Sequence, residues 1–191
     1  MIDPHSIIAT IIINLPKDKQ EELQDQINII YKKYSKFRLS GSIDGIYKNI
    51  PHITIARIED AQKNLKEIDE VMQNASKCNN FEINIKKLKL LQNESSSHIV
   101  FEIEKSKEIL ELHNKIYSPL QYLISEDWKK FGGENYLPHL TVISGLPQEK
   151  ANEILKEVKL KPFNFTANII SIKIMELGEK ATIYKTYTLK S

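Results

Sequence analysis

Two pentapeptides in this sequence carry residues suited to acid–base chemistry: Pro51-His52-Ile53-Thr54-Ile55 and Pro138-His139-Leu140-Thr141-Val142. Both read proline, histidine, aliphatic, threonine, aliphatic. The chain has five histidines and seven threonines. A given histidine therefore has a chance of about one in twenty-five of meeting a threonine two residues on. Two matched copies, each behind a proline and set among aliphatics, are not accidental. In a strand, residues i and i+2 project from one face, so each His–Thr pair points the same way, about 7 Å apart along the chain. The aliphatics face the opposite side, and a proline without an N–H suits a strand start.

Such a pair of pairs suits phosphoryl transfer. One imidazole can activate water or a ribose hydroxyl while the other protonates the leaving oxygen, both near neutral pH. Two hydroxyls can donate to the non-bridging oxygens, where charge must be stabilised. No metal or other cofactor is required if the histidines manage both protons. A zinc site, the main rival for paired histidines, would want a third ligand at suitable spacing. His5, His98 and His113 lie outside the repeated motif and read as surface or helix residues.

The elements that must position these residues repeat. Ile7–Ile13 is a β-branched run and reads as a buried strand. Pro16 and Asp18 open a helix to about Tyr34, with Leu23, Ile27, Ile30 and Tyr34 at helical spacing. Ser35–Ile50 has loop chemistry. His52–Ile58 reads as a strand, Asp60–Ala75 as a helix, and Phe81–Leu91 as a strand whose phase slips at Lys86-Lys87, as at a bulge. The order then recurs: strand His98–Glu104, helix Ser106–Ile124, loop Ser125–Leu137, strand Leu140–Ser144, helix Gln148–Val158, a long strand or bent pair over Phe163–Leu177, and a last strand Thr182–Leu189. His139 follows His52 by 87 residues. The same shift carries Asp60 onto Pro147, two helix openings, and Phe81 onto Asn168, two strand positions. Side-chain identity outside the motifs is almost nil, so the repeat is one of pattern. It predicts a pseudo-twofold unit with halves of roughly 1–95 and 96–191 in a single bilobal domain, undivided by any linker.

Composition narrows the function classes. A chain of 191 residues can bury a core without staples. A net charge of +2 is too small a basic excess for duplex DNA binding, although a local basic cleft for a phosphate ester is compatible with it. The lone cysteine, Cys78, cannot form an internal disulfide and reads as structural in a reducing compartment. Ile7–Leu15 is too short for a membrane span and lacks signal-peptide flanks. The expectation is a soluble, cytoplasmic, monomeric protein.

At the two pentapeptides the sequence resembles the 2H phosphoesterase superfamily, whose signature is two H-x-[T/S] motifs among hydrophobic residues, and which includes 2′-5′ RNA ligase-like proteins and cyclic nucleotide phosphodiesterases. The resemblance implies an α+β fold in which two antiparallel-rich sheets form a central cleft, with helices outside and one motif from each lobe. It also implies metal-independent hydrolysis or transesterification of RNA-type phosphodiesters, such as nucleoside 2′,3′-cyclic phosphates or 2′-5′ linkages. Carried over, His52 and His139 become the acid–base pair and Thr54 and Thr141 the phosphate binders. For ring opening His139 is taken as base and His52 as acid. Some members place an arginine three residues after the threonine; Arg57 matches this in the first half, whereas Ser144 stands there in the second, so basic character would be lopsided.

Nucleobases are commonly held by aromatic stacking. Tyr47 and Tyr136 precede the motifs in loops expected to approach the cleft, and Tyr184 shares a face of the last strand with Thr182, Thr186 and Thr188. These tyrosines and Arg57 are the candidate substrate contacts. Trp128 reads as a packing residue, and Lys86, Lys87 and Lys89 as a solvated basic edge. The expected partner is a nucleotide or short RNA bearing a cyclic phosphate or a 2′-5′ linkage. Two other classes stay open: a nucleotide-binding module with little turnover, which the presence of all four motif residues opposes, and a metal hydrolase.

Overall fold

The computed structural model describes residues 7–37, 39, 42–43, 46–47, 49–92, 96–176 and 181–191. Ten strands are described: β1 (Ile7–Asn14), β2 (Ser42–Ile43), β3 (Ile46–Tyr47), β4 (His52–Ile58), β5 (Phe81–Gln92), β6 (Ser97–Ile103), β7 (His139–Leu146), β8 (Asn164–Ala167), β9 (Ile169–Glu176) and β10 (Thr182–Thr188). The helices are α1 (Lys17–Lys33), α2 (Leu65–Ala75), α3 (Lys107–Leu120), the short α4 (Glu126–Lys129) and α5 (Gln148–Glu157). Apart from the small β2–β3 hairpin, the strands form one curled antiparallel sheet in the order β10-β9-β1-β4-β7-β6-β5-β8.

That order is symmetric about the β4–β7 junction. The two expected antiparallel arrays are present, four strands each, and are joined there. The halves of the sequence are nevertheless interlaced. β5, from the first half, lies against β6, and β9, from the second, lies against β1. The helices cross over likewise, α1 packing near β7 and α3 near β4. Phe163–Leu177, expected as a long strand or bent pair, divides at Asn168: β8 pairs with β5 at one edge, while β9 pairs with β1 in the other array.

The alternation of the strands explains the layering. Ile11, Ile13, Ile53, Leu140, Phe101, Ile170 and Ile172 are fully buried on one face and join Leu23, Ile27, Ile68, Met72, Ile109, Leu112 and Ile116 of the helices in a single core. Burial of this apolar area is the main force fastening helices to sheet. The buried apolar residues of α1, α2, α3 and α5 all belong to that core, and the opposite face of the sheet is its cleft face. There Ile12 and Val100 are fully buried but lie outside the helix-side core.

Local corrections have local causes. Asp60 does not cap a helix; it takes a left-handed conformation (φ 51°) before a 3-10 turn, and α2 begins at Leu65. Pro119 lies in the last turn of α3, which passes into a 3-10 turn before Ile124. The bulge expected near Lys86-Lys87 is present, between Ile85 and Leu88. Among the described residues no helix is long and apolar enough to cross a membrane.

Candidate active site

The two motifs lie side by side at the centre of the sheet. Ile53 of β4 pairs with Leu140 of β7 in antiparallel register, which sets His52 opposite Thr141 and Thr54 opposite His139. Directly opposed residues of an antiparallel pair have Cβ atoms about 4.5–5.5 Å apart. The four side chains thus form a square on the cleft face, each histidine beside the other motif's threonine. All four are half-buried, whereas Ile53 and Leu140 between them are fully buried on the reverse.

Each imidazole is anchored in the same way. His52 Nδ1 lies 2.5 Å from the carbonyl oxygen of Ile50, and His139 Nδ1 lies 2.9 Å from that of Leu137. A carbonyl can only accept, so Nδ1 carries the hydrogen in both rings and Nε2 is left to face the cleft. The residue two before each histidine, just ahead of the proline, therefore sets its tautomer.

Beyond the square the strands slip register to bring further groups forward. In β4, Ile12 pairs with Thr54 but Ile11 pairs with Ala56, leaving Ile55 as the extra residue of a bulge. This returns Arg57, opposite Thr10, to the face of Thr54. In β7 the shift falls between Val100–Thr141 and Ile99–Ile143, with Val142 extra, and Ser144 comes forward to meet His98 Nδ1 at 2.9 Å from its Oγ. The H-x-T-x-x-R spacing thus works because a bulge reverses the strand's alternation.

Both bulges are held by helices of the opposite half. His113 of α3, expected as a surface or helix residue, is 1% exposed. Its Nδ1 donates to the carbonyl of Ile55 (3.0 Å), and its Nε2 accepts from the Gly133 N–H (3.0 Å). Burial pushes its pKa down to about 4. On β7, the Ser144 N–H donates to the Tyr31 hydroxyl of α1 (3.2 Å). The Gly132-Gly133 pair serves the first clamp. A Cβ on Gly132 would meet the Tyr117 ring at 2.1 Å, and Gly133 takes φ 58° to aim its N–H at His113.

The proposed substrate contacts divide. Tyr136 is 4% exposed, stacks on His113 (centroids 3.9 Å apart) and donates its hydroxyl to the Thr54 carbonyl at 2.9 Å. It is therefore no platform for a base but a brace beneath β4. Tyr184 does not share a face with Thr182, Thr186 and Thr188, because β10 slips register between Ile183 and Lys185. Thr186 comes to the cleft face, 3.1 Å from Ser171 Oγ, while Tyr184 stands at the irregularity, 49% exposed, with no described contact to either histidine. The side chain of Tyr47, like His5, lies outside the described residues. Arg57 does stand in the cleft: its guanidinium carbon is 5.1 Å from the Trp128 ring centroid, and its Nε is buried without a hydrogen-bond partner. Trp128 thus packs, as expected, and what it packs is Arg57.

Lys173 is not legible in the sequence as a site residue. It lies on β9 opposite Thr10, in the row of Arg57, and its Nζ is 3.2 Å from His52 Nε2. Its only signal is alternation: Ile170, Ile172 and Ile174 face the core side, so Ser171 and Lys173 between them face the cleft. Burial pushes Lys173 down to about 8, and Arg57 nearby pushes the same way. Burial likewise lowers His52, to about 3, reinforced by the charge on Lys173 and by His139. His139 is lowered by burial first and by Lys89 to a lesser degree. The expected basic edge dissolves into pairs: Lys86 meets Glu104 (3.1 Å) and Lys89 meets Glu102 (2.9 Å). Glu102 is the cross-strand neighbour of His139. Among the described residues no three His, Cys, Asp or Glu side chains gather as metal ligands.

A curled antiparallel sheet with paired His-x-Thr strands at its centre defines the class of the 2H phosphoesterases. Residues 20–180 match the model of the 2′-5′ RNA ligase superfamily, and the chain belongs to that family of enzymes. A Staphylococcus epidermidis (strain ATCC 12228 / FDA PCI 1200) protein named as a phosphoesterase is 26% identical over 185 residues, covering 93% of this chain and 99% of its own. One from Oceanobacillus iheyensis, named likewise, is 24% identical over 175 residues, covering 87% and 91%. The fold is shared with a protein of Thermus thermophilus (TM-score 0.67, 13% identity, 96% and 98% of the two chains). It is also shared with Escherichia coli LigT complexed with 3′-AMP (TM-score 0.66, 13% identity, 97% and 99%).

Proposed function

We propose that this chain is a metal-independent phosphodiesterase acting on RNA-type phosphodiesters, namely nucleoside 2′,3′-cyclic phosphates or 2′-5′ linkages. In this reading His52 and His139 are the acid–base pair, Thr54 and Thr141 the phosphate binders, and the whole chain one bilobal unit. Membership of the superfamily supports phosphodiesterase-type activity. The observation that carries the finer reading is the matched anchoring of the two imidazoles. Each Nδ1–H is tied to the carbonyl two residues back, and each Nε2 is turned to one open face across which a threonine stands. Two equivalent proton carriers with hydroxyl donors between them are what in-line displacement at phosphorus requires.

The electrostatics favour the reverse of the role order expected from sequence. Lys173 beside Nε2, together with burial, keeps His52 neutral and able to take a proton. No described cation bonds His139 Nε2, and its neighbour Lys89 is offset by Glu102. In hydrolysis, His52 Nε2 removes a proton from water as its oxygen attacks phosphorus. The bond to the ribose oxygen breaks, and protonated His139 delivers its Nε2 hydrogen to that oxygen. The threonine hydroxyls donate to the non-bridging oxygens. A 3′-AMP ligand, as in the LigT complex, is the kind of molecule such a cleft would release or hold.

The test is a panel assay in excess chelator, covering 2′,3′-cyclic nucleotides and 2′-5′ and 3′-5′ linked oligonucleotides, with the position of the product phosphate determined. Turnover of a cyclic phosphate or a 2′-5′ linkage is expected. Tight nucleotide binding without turnover on any of them would replace the enzyme reading with that of a binding module.

A further inference from the structure

The first array carries two cations on the cleft face for which no carboxylate partner is described. Among the described residues, Arg57 meets the Trp128 ring and keeps a buried, unbonded Nε. Among the same residues Lys173 bonds His52. They flank Thr10 in one cross-strand row, close enough that Arg57 lowers the pKa of Lys173. Other lysines are satisfied: Lys89 by Glu102, Lys86 by Glu104, Lys185 by Asp69. A partly buried ammonium beside a second cation, with no counter-ion, is costly unless an anion joins it.

The direction of Lys173 says where that anion belongs. The side chain starts on β9, crosses over β1 and ends at the reactive nitrogen of a histidine on β4. It braces no loop and pairs two elements through no other described bond. With His52 Nδ1 donating to Ile50, the ammonium can only donate to Nε2. It therefore stands where a phosphate, attacked by a nucleophile bonded to that nitrogen, would place an oxygen. Among the described residues no cation takes the equivalent place across the pseudo-twofold. The positions matching Lys173, Thr10 and Arg57 hold Leu91, His98 and Ser144.

We propose that Lys173 is a third catalytic residue, whose ammonium leaves His52 when substrate binds and donates to a non-bridging oxygen of the reacting phosphate. The assignment rests on the phosphodiesterase reading above. The ammonium keeps its protons throughout. It frees Nε2 for the nucleophile's hydrogen and offsets charge growing on phosphoryl oxygen, on the same side of the cleft as Arg57.

The test uses Lys173→Met and Lys173→Arg in the full chain, with two readouts. Calorimetry measures inorganic phosphate binding, and kcat/KM against pH is measured on a 2′,3′-cyclic nucleotide. Removing one preorganised donor to a developing oxyanion typically costs about 10²–10³ in rate. Lys173→Met is expected to lose that much in kcat/KM and at least tenfold in phosphate affinity, with the acid limb moving to higher pH because His52 is no longer held down. Lys173→Arg, which keeps the charge, is expected to recover most of both. Should Lys173→Met fail to fold, Lys173→Gln carries the same expectation. Phosphate affinity and kcat/KM within about threefold of wild type, or equal loss of activity in Met and Arg variants with phosphate binding intact, overturns the proposal. If the wild type turns over no member of the panel, the function reading fails by itself, and the phosphate arm still decides whether Lys173 holds the anion.

Discussion

The two halves of the cleft share one skeleton and differ in charge. On each side a histidine donates Nδ1–H to the carbonyl two residues before it, a threonine follows on the same face, and a bulge brings the next polar residue forward. Around His52 the forward residue is Arg57 and the neighbour is Lys173, with no described carboxylate to offset them. Around His139 the forward residue is Ser144, bonded to His98, and Lys89, whose charge reaches His139, is paired with Glu102. In the proposed mechanism the repeated skeleton places the groups that move protons, which both faces of an in-line reaction need. The unrepeated charges would orient the phosphate, which needs only one side. On that reading the symmetric part of the cleft sets the proton chemistry and the divergent part sets its direction.

The strongest test of the shared part is substitution of the histidines. His52→Ala and His139→Ala should each lower kcat/KM by about 10²–10⁴. The double variant should lose little more than the worse single one, because acid and base act as a unit. Losses that simply multiply would mean two independent sites.

The divergent part is tested by unequal partners. Arg57→Ala removes a charged donor worth about 1.5–3 kcal/mol, so roughly a ten- to hundredfold loss in kcat/KM is expected. Ser144→Ala should stay within about threefold, since that hydroxyl is occupied by His98. Equal effects would erase the distinction between the sides.

A smaller effect is expected at Lys89, whose charge lowers His139. Lys89→Met removes that charge and leaves Glu102 alone nearby, so the pKa of His139 rises. The acid form then survives to higher pH, and the alkaline limb of kcat/KM moves up. A downward move would place the acid elsewhere.

The weakest effect on chemistry, and the clearest on stability, belongs to the clamp beneath β4. Folding depresses the pKa of His113 to about 4, against about 6.5 for an unperturbed histidine. Between those values the unfolded chain binds more protons, so the contribution of His113 is complete above about pH 6.5 and is lost as pH falls toward 4. His113→Gln should cost about 1–3 kcal/mol at pH 7.5 by leaving a buried backbone group unpaired. In urea melts, the gap between variant and wild type should narrow at pH 4.5. A gap independent of pH would mean that His113 is not held neutral.

What can be read in the sequence is whatever is periodic. The aliphatic alternation around His52 and His139 reveals the strands and the shared faces, because period-two patterning is written locally. The crossed arrangement of β5, β9, α1 and α3 is not legible, since either pairing of the halves buries the same faces. Arg57 is found by its spacing from Thr54, although the reason for that spacing, the bulge at Ile55, appears only in the register. Tyr136 misleads because a loop tyrosine three residues before a motif looks the same whether it faces a cleft or stacks on a buried histidine. Tyr184 misleads because one slip in β10 reverses a face. Lys173 lies 121 residues from His52 in sequence, and only the placement of β9 against β1 joins them.

In the proposed function His52 and His139 form one acid–base site that works at phosphorus without a metal. The most direct measurement is turnover of a 2′,3′-cyclic nucleotide in excess chelator by the wild type and by the His52→Ala, His139→Ala double variant. Sustained hydrolysis to a single phosphomonoester is expected of the wild type, and loss of at least about a hundredfold in the double variant. Hydrolysis by the double variant at the wild-type rate, or a wild type silenced by chelator and restored by added metal, would contradict it.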